Sequence, residues 1–378
     1  MRMSGLKLRK SVFFYTLAIG TFLVLLPSWA RAQENTSGSS LNKSRQFAAI
    51  AHNPAAHQFV LFGGINSGLD GGGGGPYFND TWIWRGTRWE EQSPTLRPEP
   101  RFETAMAYDS ARREVVLFGG VDQHSPRTVS TPWATVRVYP DASSQLGTEA
   151  FYRDTWIWDG GDWTQRSPGL MPPERACHAM AFDAARKQVV LFGGLDRQGK
   201  LLNDTWVWDG SNWRKMNPAN IPPARHWHAM AYDSHRQQVV MFGGLSGKDA
   251  LGDTWIWDGN NWDKAEPSGD VPEARFEAGM DYDPYQKRLV LISGYVQDPT
   301  GKGTTANDSW TWDGDHWTKL ALGDEFELVH DYSRFDPKDA NRALIVNVAS
   351  PLIWVRGHAR RRTPRGENSG DAAKGTPR

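Results

Sequence analysis

The chain has 378 residues, room for about two average domains or one large β architecture. Its 43 basic residues balance 43 acidic ones, yet residues 33–355 hold 31 basic against 41 acidic, which argues against a nucleic-acid-binding main surface. A single cysteine, Cys177, excludes disulfide frameworks and cysteine-based zinc or iron–sulfur sites, while 19 Trp and 38 Gly point to repeated short strands and tight turns.

In chain order, residues 1–10 are basic and residues 12–26 form an almost unbroken apolar run, followed by Ala30-Arg31-Ala32. This pattern predicts a Sec signal peptide over 1–32, cut after Ala32, and a secreted or periplasmic mature protein. An uncleaved anchor is the lesser reading, because the apolar run is short for a membrane span. It is the one route by which the chain is expected to touch a membrane.

Beyond this leader the sequence repeats itself. The clearest copy reads Arg175-Ala-Cys-His-Ala-Met-Ala-Phe-Asp183, Val189-Val-Leu-Phe-Gly-Gly194 and Asn203-Asp-Thr-Trp-Val-Trp-Asp-Gly-Ser-Asn-Trp213. The double glycine recurs at Gly63-Gly64, Gly119-Gly120 and Gly243-Gly244, and weakens to Ser293-Gly294. The paired tryptophans recur at Trp82/Trp84, Trp156/Trp158, Trp255/Trp257 and Trp310/Trp312, followed by Trp89, Trp163, Trp262 and Trp317. Each copy predicts four strands: an alternating small–large run, a continuously apolar run, the Thr-Trp-x-Trp element, and a strand opened by the last Trp. Asp-x-x-Arg turns join the first two strands and Asp-Gly turns the last two.

The double glycine after an apolar strand, then spaced aromatics ending in Trp, resembles the Kelch repeat over roughly residues 45–355. It resembles in particular the secreted bacterial Kelch proteins grouped with the central domain of galactose oxidase. Trp in place of the family's Tyr on the third strand, and a shorter spacing to the final Trp, leave the fold expectation intact. That expectation is all-β: a six-bladed Kelch-type β-propeller over 33–357, with four antiparallel strands per blade. The blades fall near 47–94, 101–168, 175–218, 225–267, 275–320 and 326–357, with an insertion at 121–150. The last blade is degenerate and is expected to be closed by an N-terminal strand from 33–46. Residues 358–378 are expected to form a basic, disordered tail.

Where the copies agree, structure suffices as an explanation: the tryptophans read as core and the Asp of Asn-Asp-Thr as a local hydrogen-bonder. Where they disagree, a ligand is the sharper reading. The position six residues before each first-turn Asp or Asn holds Phe47, Glu103, Cys177, Trp227, Glu277 or His330. These open the innermost strands and should ring the channel mouth. The candidate ligand-binding set is Glu103, Cys177, His178, His226, Trp227, His228, Glu277, His330 and Asp331. Ordinary solvated loop ends are the bland alternative, and metal binding by the acids and histidines stays open. Arg45, Arg101, Arg175, Arg225 and Arg275 precede the ring, and their repetition suggests a structural role first. Resemblance to Kelch proteins that bind acidic peptides through arginines near this mouth keeps binding open.

Galactose oxidase holds copper beside a Tyr–Cys pair, with a second Tyr and two His completing the ligands. Cys177 opens its strand as that enzyme's Cys does, but His226-Trp227-His228 stands where the resemblance would place the Tyr. No Tyr–Cys cofactor, nor any other cofactor, is expected, and no catalytic residue is assigned. The expected function is a monomeric extracytoplasmic binding module for a protein or glycan, acting through the loop-rich face. A carbohydrate-active enzyme, oxidase- or epimerase-like, is the alternative.

Overall fold

The computed structural model describes residues 45–53, 56, 58–66, 77–85, 88–122, 127–131, 134–138, 150–297, 303–320, 326–329, 343–346 and 353–357. The expected signal peptide over 1–32 and the expected disordered tail over 358–378 lie outside these residues. Every regular element among them is a strand, and five four-stranded antiparallel sheets repeat one plan. Their innermost strands are Ala49–Asn53, Ala105–Asp109, Ala179–Asp183, Ala229–Asp233 and Gly279–Asp283. These stand side by side in sequence order, so the sheets radiate as the blades of a β-propeller.

The alternation of small and large residues explains how blades meet. Ala49 and Ala51 present a flat surface to Met106, Trp156, Trp158 and Trp163 of the second blade. Ala105 and Ala107 do the same for Met180, Trp206, Trp208 and Trp213. From the second blade to the fifth, the final tryptophan also reaches back to the preceding blade: the Trp163 indole donates to Thr81 Oγ1 at 2.8 Å, Trp213 to Thr155 at 2.8 Å, Trp262 to Thr205 at 2.9 Å and Trp317 to Thr254 at 2.9 Å. Strand pattern and blade adhesion are thus one property of the sequence.

The repeated arginines are buried. The Arg175 guanidinium donates to both Asp204 oxygens, at 2.8 and 2.9 Å, and to the Gly193 and Pro173 carbonyls. Arg101–Asp154, Arg225–Asp253 and Arg275–Asp308 repeat the pair. Burial alone would raise Asp204, but the Arg175 hydrogen bonds and charge outweigh it and hold the carboxyl below its usual range. Meanwhile the Arg175 carbonyl accepts from Gly120 of the preceding blade at 2.9 Å. One residue therefore ties two blades.

A second arginine spans the underside. Arg112 bonds Asp109 of its own turn, then crosses to the Lys187 and Asp209 carbonyls of the next blade. Its guanidinium lies over Gly210, where a Cβ would collide. Arg186 and Arg236 reach the next blade in the same way, at Gln237 and Lys287. The arginine of the Asp-x-x-Arg turn, a turn former by its sequence pattern, is thus also an inter-blade tie.

The first repeat carries Ala56 at the corresponding position, and Gly160 of the second blade has open space above it. Ala56→Arg should install the missing tie, bonding the Arg113 and Asp159 carbonyls and raising stability by about 1 kcal/mol. A melting temperature that stays level or falls would count against the bridging role.

Residues 326–357 contribute a three-stranded sheet of different order. Ile353–Gly357 lies in the middle, flanked by Phe326–Val329 and Ala343–Val346. Ala343–Val346 stands beside the fifth blade's innermost strand, where the sequence reading expects the strand opened by His330. The unbroken apolar Ala-Leu-Ile-Val suits that inner place better than Phe-Glu-Leu-Val. Arg45–Gln46 pairs with Ile65–Asn66 inside the first blade, and residues 33–44 lie outside the described chain. The slot toward the last sheet is also polar: Asp281 replaces the small residue of the other blades, with one oxygen 3.8 Å from His52 Nδ1.

Candidate functional site at the channel mouth

A short rung precedes each inner strand. Phe102 bridges Val121, Ala176 bridges Leu195, His226 bridges Leu245, and Arg275–Phe276 pairs with Tyr295–Gln297. The loops leaving the second strands therefore start beside the residues that open the first strands. Variable loops and candidate ring share one face. In the second repeat's insertion, Arg127–Thr131 and Ala134–Val138 form a hairpin.

The residue after each rung is the one singled out by the sequence. Phe47, Glu103, Cys177, Trp227 and Glu277 all adopt left-handed backbone, with φ between 52° and 57°. A chain of backbone hydrogen bonds joins them across blades. The Glu103 N–H donates to Phe47 at 3.1 Å, Cys177 to Glu103 at 3.1 Å, Trp227 to Cys177 at 3.0 Å and Glu277 to Trp227 at 2.9 Å. This conformation costs a non-glycine residue on the order of 1 kcal/mol, which glycine would relieve. The underside turns also hold non-glycine residues at positive φ, but there Arg113, Lys187, Gln237 and Lys287 are uniformly long and polar. At the mouth the five side chains are of four kinds, aromatic, acidic and thiol among them.

Glu103, Cys177, His178, Trp227, His228 and Glu277 line one cavity of about 110 Å³. His226 sits one residue outward, its ring 4.3 Å from that of Trp227. His330 and Asp331 lie outside the described residues. The Cys177 thiol donates to Glu103 Oε2 at 2.8 Å; burial first, then the Glu103 charge, pushes its pKa well up. Burial, with Glu103 adding to it, raises Glu277 to about 7. His178 and His228 are not solvated loop ends. They are buried edge-on against Phe118 and Phe192, and burial, aided by Arg175, lowers His178 to about 3. Burial brings His226 down to about 4.

Two features escape the sequence reading. Met106, Met180, Met230 and Met280 also line the cavity, a signal present in the Ala-Met-Ala of three blades and the Gly-Met-Asp of the fifth. Around the mouth, Tyr77 stacks on Phe102 at 5.3 Å and Phe276 bridges Trp227 and Tyr295 at 5.9 and 5.7 Å. The varying residue just before each ring position carries that signal. The arginines, in contrast, do not reach the mouth: Arg101, Arg175, Arg225 and Arg275 are at most 1 % exposed and committed to their Asp partners.

Among the described residues no three His, Cys, Asp or Glu side chains form a group able to hold a metal ion. The Cys177 thiol faces Glu103 and Trp227, and the described cavity lining includes no tyrosine. This donor set does not fit a Tyr–Cys copper centre.

Compared with known families, residues 147–325 match the KLHDC2/KLHL20/DRC7 Kelch-repeats domain. Over that span the repeats match the Kelch pattern, which supports a Kelch-repeat protein. No curated protein matches the chain. The matched span takes in the third to fifth blades, with Cys177, Trp227 and Glu277 of the ring and the Arg175–Asp204, Arg225–Asp253 and Arg275–Asp308 pairs. Kelch repeats commonly serve as protein-binding modules.

Proposed function

We propose that this Kelch domain is an extracytoplasmic binding module that recognises a protein or glycan through its loop-bearing face. One observation carries the reading: five positions with the same backbone geometry and the same inter-blade hydrogen bonds display Phe, Glu, Cys, Trp and Glu. Scaffold needs alone would favour one residue there, and glycine best of all. The leader over 1–32 supports export, and the three-stranded sheet is taken as the sixth blade. The carbohydrate-active alternative draws support from Glu277, a carboxyl with raised proton affinity beside a second one.

The reading is tested by presenting glycan and envelope-protein arrays to the purified chain and comparing variants against any hit. Trp227→Ala and Glu277→Ala should each weaken binding at least tenfold with little change in melting. Tyr285→Ala, an exposed underside change, should leave binding intact. Loss of binding through Tyr285, with the mouth variants unaffected, would assign recognition to the wrong face.

A further inference from the structure

The mouth cavity has a charge character that its general role as a binding site does not explain. Two carboxyls line it, and among the described lining residues there is neither Lys nor Arg. Glu103 accepts from the Cys177 thiol, whereas the Glu277 carboxyl has no hydrogen-bond partner among the described residues. Deeper in, His178 and His228 are only 7 % and 6 % exposed, and none of their four ring nitrogens is hydrogen-bonded. The Phe118 and Phe192 carbonyls favour protonation of these rings but fall short of hydrogen-bond geometry. Buried polar groups left unpaired in a cavity wall are uncommon in a finished interior and mark a place that something else completes.

We propose that the channel mouth binds an alkylammonium group, with Glu103 and Glu277 as its counter-charges, Trp227 and Phe47 as its aromatic wall and the methionines as the floor for its methylenes. This rests on the loop-face reading and gives it a ligand chemistry. A cation lets both carboxyls be ionised together, where alone the Glu103 charge adds to the raised proton affinity of Glu277. Aromatic faces attract such a cation, and thioethers accommodate its apolar stem. The two histidines stay neutral at physiological pH and so do not repel it. The ammonium can come from a partner protein's lysine or from a free amine.

The test uses the purified chain with [methyl-¹³C]methionine and follows the Met180 and Met230 methyl resonances. Two probes, n-butylammonium and N-acetyl-lysine amide, are titrated beside the Nε-acetylated lysine amide. The charged probes should shift both methyls with millimolar Kd and the acetylated one should not. A preference for the lysine amide would identify a protein side chain as the source; a preference for butylammonium would identify a small amine. Facing Glu277 are Glu103, Cys177 and, below them, His178 and His228, so the expected pH response comes from Glu277. Its carboxylate forms as pH rises through about 7, and affinity should increase severalfold from pH 6 to pH 8. Glu277→Gln should weaken binding about tenfold and flatten that response. Equal shifts from the charged and acetylated probes, or an unchanged Glu277→Gln, would overturn the proposal. If the mouth variants lose a protein or glycan ligand while neither ammonium probe binds, the cation chemistry falls and the face assignment stands.

Discussion

Arg175→Ala is expected to lower the melting temperature by about 10 °C, among the largest effects of any side-chain truncation in the molecule. The substitution strands the Asp204 carboxylate, only 15 % exposed, and removes donors from the Gly193 and Pro173 carbonyls. Breaking a buried pair in this way costs about 3–5 kcal/mol, because the surviving charge is left largely desolvated and without its partner. The linkage has a defined sign. Asp308, held at about 2 by Arg275 and Trp310 against the opposing effect of burial, contributes stability that is present above its unfolded pKa and lost as pH falls toward 2. Removing Asp204 as well should recover only part of the loss, since the Trp206 indole donates to Asp204 and would lose its acceptor. A melt within about a degree of the parent for Arg175→Ala would refute a structural role for the pair.

Gly193→Ala should cost several kcal/mol for a different reason. Its φ of +66° already disfavours a side chain, and a Cβ there would stand 2.6 Å from the Arg225 carbonyl oxygen. That oxygen accepts from Gly194, so the collision is with backbone that cannot swing aside. Gly247, at φ +65° with open space around it, isolates the conformational part: Gly247→Ala should cost only about 1 kcal/mol. Equal losses at the two sites would mean that close approach contributes nothing. The chain contains its own variant of the experiment. Ser293 replaces the first glycine of the pair at φ 57°, in the one full repeat after which the connecting segment carries no arginine.

The repeat made the blades, their strands and the location of the ring readable from sequence, because each depends on local pattern: Ala-Met-Ala against Trp-x-Trp, a double glycine, an Asp-Gly turn. It favoured a structural role for the repeated arginines but did not name their partners. Repetition of Arg101, Arg175, Arg225 and Arg275 is compatible with either a lining or a strut, and only their distance to an Asp dozens of residues later decides. The same holds for His178 and His228. A histidine at a strand opening looks solvated in one dimension and turns out to be wedged against the preceding blade's Phe118 or Phe192 in three. Ala343–Val346 shows the limit from the other direction: once the motif degrades, strand order follows apolar continuity and no longer follows the register of the repeat.

The backbone ring at the mouth has a consequence for how the protein can change. Peptide N–H and C=O groups hold Phe47, Glu103, Cys177, Trp227 and Glu277 in position, so none of the five side chains is needed to keep the mouth open or in register. One codon per blade is then enough to rewrite the chemistry of the opening, and the blades can be rewritten independently. The admissible alphabet is nevertheless restricted. Proline would delete the bridging donor and break the ring at that blade, while Val, Ile and Thr tolerate the left-handed backbone poorly. Asn, Asp, Gly and unbranched or aromatic residues remain. A library randomised at these five codons and depleted of the four forbidden residues should yield mostly folded members with divergent specificities, which makes this opening a natural starting point for selecting new binders.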